Sequence, residues 1–84
     1  MKKPVKMYTL STCSHCKAAK KLLDKCLVKY EFTDVDLLTG EERKRIIREV
    51  RKLNAECSFP TVIIGETVIA GFNEKEIRKT LGLS

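Results

Sequence analysis

Two thiols three residues apart, in Cys13-Ser14-His15-Cys16, are the side chains of this 84-residue chain best suited to chemistry. Residues i and i+3 of a helical turn stand about 5–6 Å apart, inside the window that a disulfide needs. In a cytosolic chain this spacing points first to dithiol–disulfide redox chemistry and second to half of a metal site. Zinc needs four ligands, and only Cys57 and His15 stand ready to complete a set. The redox reading is therefore preferred to a metal site or a permanent structural bridge.

The thiolate is the reacting species, so the position of each cysteine decides its part. The pair falls where a strand ends and a helix begins, and at a helix N-terminus free N–H groups and the dipole stabilise a thiolate. Cys13 is the expected nucleophile. Cys16, one turn in and more shielded, is the expected resolving thiol. His15 and Lys17 add positive charge around the same turn, which should lower the Cys13 pKa further and make the couple more oxidising. A second signal is Pro60, in Ser58-Phe59-Pro60-Thr61. An X-Pro bond can be cis, and proline has no N–H. The backbone of Phe59 is then free to pair with an extended substrate, as in strand addition.

The elements that must position these residues follow from periodicity. Val5–Leu10 is expected as a strand. From Cys13 the period becomes helical: Ala19, Leu22, Leu23, Cys26 and Leu27 share one face, with Lys17, Lys21, Asp24 and Lys25 turned away. Lys17, Lys20 and Lys21 are expected on a solvated face. Tyr30–Asp36, rich in β-formers, is expected as a second strand. Thr39 and Glu42 form a capping box that opens a helix with the stripe Ile46, Ile47, Val50 and Leu53. Thr61–Ile64 and Thr67–Ala70 are short strands joined by Gly65-Glu66, suiting a type II′ turn. Asn73 caps a last helix with Glu76 at N3, Phe72 and Ile77 at the staple positions, and Gly82 as the stop. The order β-α-β-α-β-β-α implies a right-handed crossover, a parallel strand pair and an antiparallel hairpin. It predicts an α/β fold, a four-stranded mixed sheet flanked by three helices, similar to the minimal thioredoxin (glutaredoxin-like) fold.

Composition bounds what this arrangement can serve. Eighty-four residues make a single domain, 1–84, of a size that buries only about 60–65% of its unfolded surface. No apolar run exceeds three residues, so no transmembrane helix and no membrane partner are expected. Lys2 and Lys3 are followed by no apolar stretch, so no secretory signal is expected and the chain reads as cytoplasmic. The net charge of +6 is lopsided: residues 1–29 hold eight Lys against Asp24, a net of +7, and residues 30–84 hold nine basic and ten acidic groups, a net of −1. The basic segment has one aromatic (Tyr8), no Arg and no recognition motif, so it reads as a solvated face attracting an acidic protein partner rather than nucleic acid.

Tyr8-Thr9-Leu10, the Cys13–Cys16 motif, Phe59-Pro60-Thr61 with its hairpin, and Ala70-Gly71-Phe72 together resemble the glutaredoxins. Among thioredoxin-like proteins the chain is especially similar to the small NrdH-type redoxins and to archaeal or bacterial glutaredoxin-like proteins. The resemblance implies a cis Pro60, disulfide reduction by Cys13 and Cys16, and a substrate-binding rim of Thr12, Lys17, Phe59, Thr61, Gly71, Phe72 and Asn73. It also implies a monomer with no bound cofactor or metal, and glutathione as a candidate co-substrate. The partners implied are disulfide-containing proteins, with a thioredoxin reductase or a ferredoxin-linked reductase as electron donor. Three positions depart from the glutaredoxin pattern. Leu10 stands where a Lys usually holds glutathione, Ala70-Gly71 with Asn73-Glu74 replaces Gly-Gly and its acidic residues, and Ser58-Phe59-Pro60 replaces Thr-Val-Pro. Gly71-Phe72 looks like the NrdH-type tail, which favours a protein reductase over glutathione. The reading from a different class is a metal or iron–sulfur carrier that uses the same cysteines across a dimer.

Two cysteines remain. Cys26, ten residues past Cys16, is about 15 Å along the same helix and reads as core. Cys57, three residues before Pro60, reads either as a small buried residue or as a third redox thiol.

Overall fold

The hub of the architecture is β1, Val5–Thr9, whose residues must face apolar surroundings on both sides. The computed structural model describes residues 4–56 and 58–82. In it β1 pairs in parallel with β2, Glu31–Asp34, and antiparallel with β3, Thr61–Ile64. The strand β4, Thr67–Ala70, closes the order β2-β1-β3-β4. Val5 and Met7 face one layer, in which Ala19, Leu22 and Leu23 of α1 (Ser14–Lys25) and Ile77 of α3 (Glu74–Leu81) meet Val62, Ile64 and Ile69. Tyr8 faces the opposite layer, with Val35, Val50, Ile46 and Ile47, the last three from α2 (Gly40–Leu53). Alternate residues of one strand thus feed two cores, and the sheet is sandwiched by helices as the pattern implies.

Local signals read most accurately in the C-terminal third. The hairpin strands have the expected bounds, and of the two turn residues only Gly65 takes a positive φ, 61°, as a type II′ turn requires. Asn73 accepts from the Glu76 N–H at 3.1 Å, and Gly82 closes α3 at φ 78°.

Four expectations are corrected. β1 ends at Thr9, because Leu10 has already turned toward the helix and accepts from the Cys13 N–H at 3.2 Å. The second strand is Glu31–Asp34, shorter than Tyr30–Asp36, because the chain tightens into a 3-10 turn, Val35–Leu37, that buries Val35. Thr39 precedes α2 as expected, but its hydroxyl makes no capping bond. The intervening Gly40 sits at φ 58°, so the two residues do not adopt the geometry of a capping box. Leu27, placed by periodicity on the apolar face of α1, is 85% exposed. The helix stops at Lys25, and Cys26, its C-cap, packs half-buried against the core.

The end of α1 explains Leu27. The Val28 N–H bonds Leu23 C=O at 2.9 Å and the Leu27 N–H bonds Asp24 C=O at 3.1 Å, the paired bonds of a Schellman motif, with Val28 packed on the core. Leu27 occupies the left-handed position of that motif, φ 58°, where a Cβ is strained. Relief of about 1–2 kcal/mol of left-handed strain, less about 0.4–1 kcal/mol of extra unfolded-chain entropy, leaves a net gain. Leu27→Gly should therefore raise Tm by roughly 2–6 °C in thermal unfolding followed by circular dichroism. A fall in Tm would show that the Leu27 side chain stabilises the fold despite its exposure.

Candidate active site

The β1–α1 junction is built around sulfur. Cys13 is the N-cap of α1, with extended φ −80° and ψ 121°, and its Sγ accepts from the Cys16 N–H at 3.4 Å. That position usually carries Ser, Thr, Asp or Asn, whose oxygen takes up an orphan helix N–H. Here the capping acceptor is the reactive atom. The Cys13 carbonyl accepts the first helical bond, from the Lys17 N–H at 3.1 Å. Cys16 lies one turn further in and is fully buried, and its Sγ accepts from the Leu10 N–H at 3.4 Å. Both cysteines are free thiols, and Cys13 is half-buried.

The two sulfurs ionise very differently. Burial would push the Cys13 thiol up. Hydrogen bonds from the Cys16 thiol and from the backbone N–H groups of Cys16 and His15 outweigh it and hold Cys13 below its ordinary value. Burial pushes the Cys16 thiol up to about 12, assisted by its hydrogen bond to Cys13 and the Cys13 charge, and opposed by the Leu10 N–H and the Lys20 charge. His15 and Lys17 are exposed, and what reaches Cys13 from His15 is its backbone amide. Lys20 does not belong to a solvated lysine face, as its sequence position suggested. It is half-buried, its Nζ 3.5 Å from Asp34 Oδ1 and 3.8 Å from the centre of the Phe32 ring.

The strand register gathers the remaining candidates. Tyr8 pairs with Thr61 and Thr61 with Ala70, so the exit of β1, the start of β3 and the end of β4 share one end of the sheet. The Phe59–Pro60 peptide bond is cis. Pro60 and Thr61 are buried, and Phe59 packs half-buried on the layer that contains Tyr8 and Val50. The Pro60 carbonyl accepts from the Gly71 N–H at 2.8 Å, which ties this loop to the approach to α3. Gly71 takes φ 80°, a conformation that favours glycine. Thr12 and Asn73 are exposed, and Phe72 is half-buried against the core layer beneath α1 and α3. Cys57 lies outside the described residues.

Three polar residues that the sequence reading passed over hold this end together. Asn54, 7% exposed, places Nδ2 at 2.8 Å from Ser58 Oγ, 3.3 Å from Ser58 O and 3.4 Å from Thr61 Oγ1, while Thr61 Oγ1 donates to Ser58 O at 2.7 Å. Asp34 accepts from Thr9 Oγ1 and pairs with Lys20. Asp36 accepts from both the N–H and the hydroxyl of Ser11. The sequence signal for Asn54 was a carboxamide just after the last apolar residue of α2, four residues before Ser58, an arrangement typical of a helix end. The two aspartates carried no local signal.

The glutaredoxin family profile matches residues 5–69. Glutaredoxin 1 of Rickettsia prowazekii (strain Madrid E) is 35% identical over 68 residues, which are 81% of this chain and 68% of that protein. Among solved structures, the methanoredoxin of Methanosarcina acetivorans superposes with a TM-score of 0.90 at 45% identity, covering 96% of this chain and 86% of that one. The glutaredoxin of Methanosarcina mazei Go1 superposes with a TM-score of 0.86 at 48% identity, covering 95% of this chain and 79% of that one.

The unequal ionisation has a direct readout. With iodoacetamide at pH 7 and peptide mapping by mass spectrometry, Cys13 should be modified at least about a hundredfold faster than Cys16, because the thiolate is the nucleophile. The Cys13 rate should rise with pH through a midpoint below that of an ordinary thiol. Equal labelling of the two cysteines would contradict the geometry described.

Proposed function

The chain belongs to the glutaredoxin family and is a thiol-disulfide oxidoreductase in kind; from that premise we propose that it reduces protein disulfides through a Cys13–Cys16 dithiol and is itself re-reduced by a protein reductase. The observation that carries this reading is the placement of two thiols one turn apart, Cys13 capping α1 with its sulfur and Cys16 fully buried behind it. The Cys13 thiolate attacks one sulfur of a substrate disulfide, forms a mixed disulfide and releases the other substrate sulfur as a thiolate. Cys16 then loses its proton, attacks Cys13 Sγ and releases the second substrate thiolate. Two electrons pass to the substrate, and the chain is left with a Cys13–Cys16 disulfide.

The surroundings have parts in that sequence. Phe59 offers its backbone to an extended substrate segment beside Cys13, with Pro60 and Thr61 setting the edge, and Thr12, Gly71, Phe72 and Asn73 form the facing rim. Pro60 thus serves substrate positioning. His15 contributes to lowering the Cys13 pKa through its amide. Lys17 and Lys21 line a groove of about 540 Å³ that begins at Ser14, directly beside the nucleophile. They would steer an acidic protein surface, an attraction that weakens as salt screens exposed charges. The chain acts as a monomeric single domain in the cytoplasm. No helix among the described residues is long and apolar enough to cross a membrane.

Some members of the family use glutathione as a co-substrate. One feature here favours a protein reductase instead. Leu10, in the place of a glutathione-holding cation, packs into the apolar layer with Tyr8 and Val35.

Two experiments test the reading. Cys13→Ser should abolish reduction of a protein disulfide such as that of insulin, and Cys16→Ser should accumulate a mixed disulfide visible as added mass. Full activity of Cys13→Ser would remove Cys13 from the mechanism. For the donor, the oxidised protein is offered in parallel millimolar glutathione, an NADPH-linked thioredoxin reductase and a ferredoxin-linked reductase. One of the reductases should turn over faster than glutathione and should slow with added salt. Efficient turnover with glutathione alone would make glutathione the donor.

A further inference from the structure

We propose that Asp36 is a positioning residue for the thiol-disulfide exchange, a two-point clamp on Ser11 that holds the Leu10–Cys13 turn against both sulfurs. This rests on the reading of Cys13 and Cys16 as the reacting pair.

The turn has little else to hold it. The β1 ladder ends at Thr9, α1 begins at Ser14, and within the turn one backbone bond, from Cys13 N–H to Leu10 C=O at 3.2 Å, ties Cys13 back to the end of β1, while its other bonds run to α1. The carbonyl of that bond belongs to the Leu10–Ser11 peptide unit. A trans peptide is planar, with its C=O and N–H pointing in opposite directions. Asp36 Oδ1 accepts from the N–H of this same unit at 2.9 Å, and Asp36 Oδ2 accepts from the Ser11 hydroxyl. Two contacts from one carboxylate define the tilt of the plane as well as its place. Holding the Ser11 N–H therefore aims the Leu10 C=O at the Cys13 amide.

The other side of Leu10 faces Cys16. Its N–H is the backbone donor on the Cys16 sulfur, which is fully buried and so receives no solvent donors. When Cys16 sheds its proton to attack Cys13, that N–H stabilises the charge that develops. Leu10 thus bonds the nucleophile's amide through its C=O and the resolving sulfur through its N–H, and Asp36 grips the next residue. Asp36 can do so because β2 runs parallel to β1 with Asp34 level with Thr9. Two residues beyond those partners, Asp36 and Ser11 come together across 25 positions of sequence. The Ser11 bonds also hold the Asp36 carboxyl below the usual carboxylate range, so it is ionised throughout the neutral region.

The test is stopped-flow reaction of the reduced protein with an aromatic disulfide, in which attack by Cys13 and resolution by Cys16 each release a coloured thiolate in a separate phase. Asp36→Ala should slow the resolving phase by about tenfold, the scale of a lost charge-assisted hydrogen bond. Asp36→Asn should stay within about twofold, because its Oδ1 still accepts from the Ser11 N–H and its amide can donate to the Ser11 hydroxyl. Ser11→Ala, which keeps the backbone contact and loses the other, should fall between them. The proposal is overturned if Asp36→Ala resolves at the unmodified rate, or if Asp36→Asn is as slow as Asp36→Ala. Should Asp36→Ala fail to fold by circular dichroism, an unchanged rate in Ser11→Ala overturns it instead. Cys16→Ser separates the two levels: if it resolves as fast as the unmodified protein, the reading of the reacting pair fails and not the clamp alone.

Discussion

A sulfur atom in the N-cap position of α1 is the constraint from which the rest of the site follows. Helix starts leave N–H groups without partners, and the usual cap is an oxygen that takes one of them up. When Cys13 Sγ takes that part, accepting from the Cys16 N–H, the need of the helix for an acceptor and the need of the thiolate for donors are met by one contact. Fold and reactivity are therefore coupled at a single atom. The same geometry forces the second sulfur inward by one turn, where burial keeps it protonated. The asymmetry between attacking and resolving thiols needs no separate device.

Around this contact the sheet acts as a gathering frame. β1 is covered on both faces and bonded on both edges, and the reactive turn hangs from its end. Parallel pairing with β2 brings Asp34 and Asp36 alongside that turn, and antiparallel pairing with β3 brings the Phe59–Pro60 loop to its other side. The loop in turn is held by Asn54 from the end of α2 and by the Gly71 amide from the approach to α3. Each flank of the cysteines is thus supplied by a different part of the chain, and every supplier is tied down by a hydrogen bond to a buried or half-buried partner.

The charge distribution takes on a different meaning in three dimensions. Eight lysines in the first 29 residues suggest one broad basic face, yet they do not act alike. Lys20 is drawn into the fold by Asp34 and the Phe32 ring, where its charge acts on Cys16. Lys17 and Lys21 are exposed at the groove beside Ser14, which Lys20 also lines, and Lys6 lies over the Tyr8 ring at 5.1 Å. Part of the excess positive charge is therefore structural, and only the remainder is free to meet a partner.

What the sequence by itself determined was whatever is settled within about one helical turn or one tight hairpin. The Cys13–Cys16 spacing, the Gly65-Glu66 hairpin, the Asn73 and Gly82 caps and the order of strands and helices all rest on contacts between near neighbours, and each was legible from residue type and offset. Leu27 shows the limit even there, because periodicity does not say where a helix stops when the left-handed position is held by leucine instead of glycine. The positions of Asp34, Asp36 and Asn54 were decided only by tertiary structure. In sequence the two aspartates are polar residues near a strand end, and nothing within reach of them contains a cysteine. Their partners, Thr9 and Ser11, stand 25 positions away. They meet because β2 pairs in parallel with β1 at the register that sets Asp34 level with Thr9, and that pairing belongs to the packed chain as a whole.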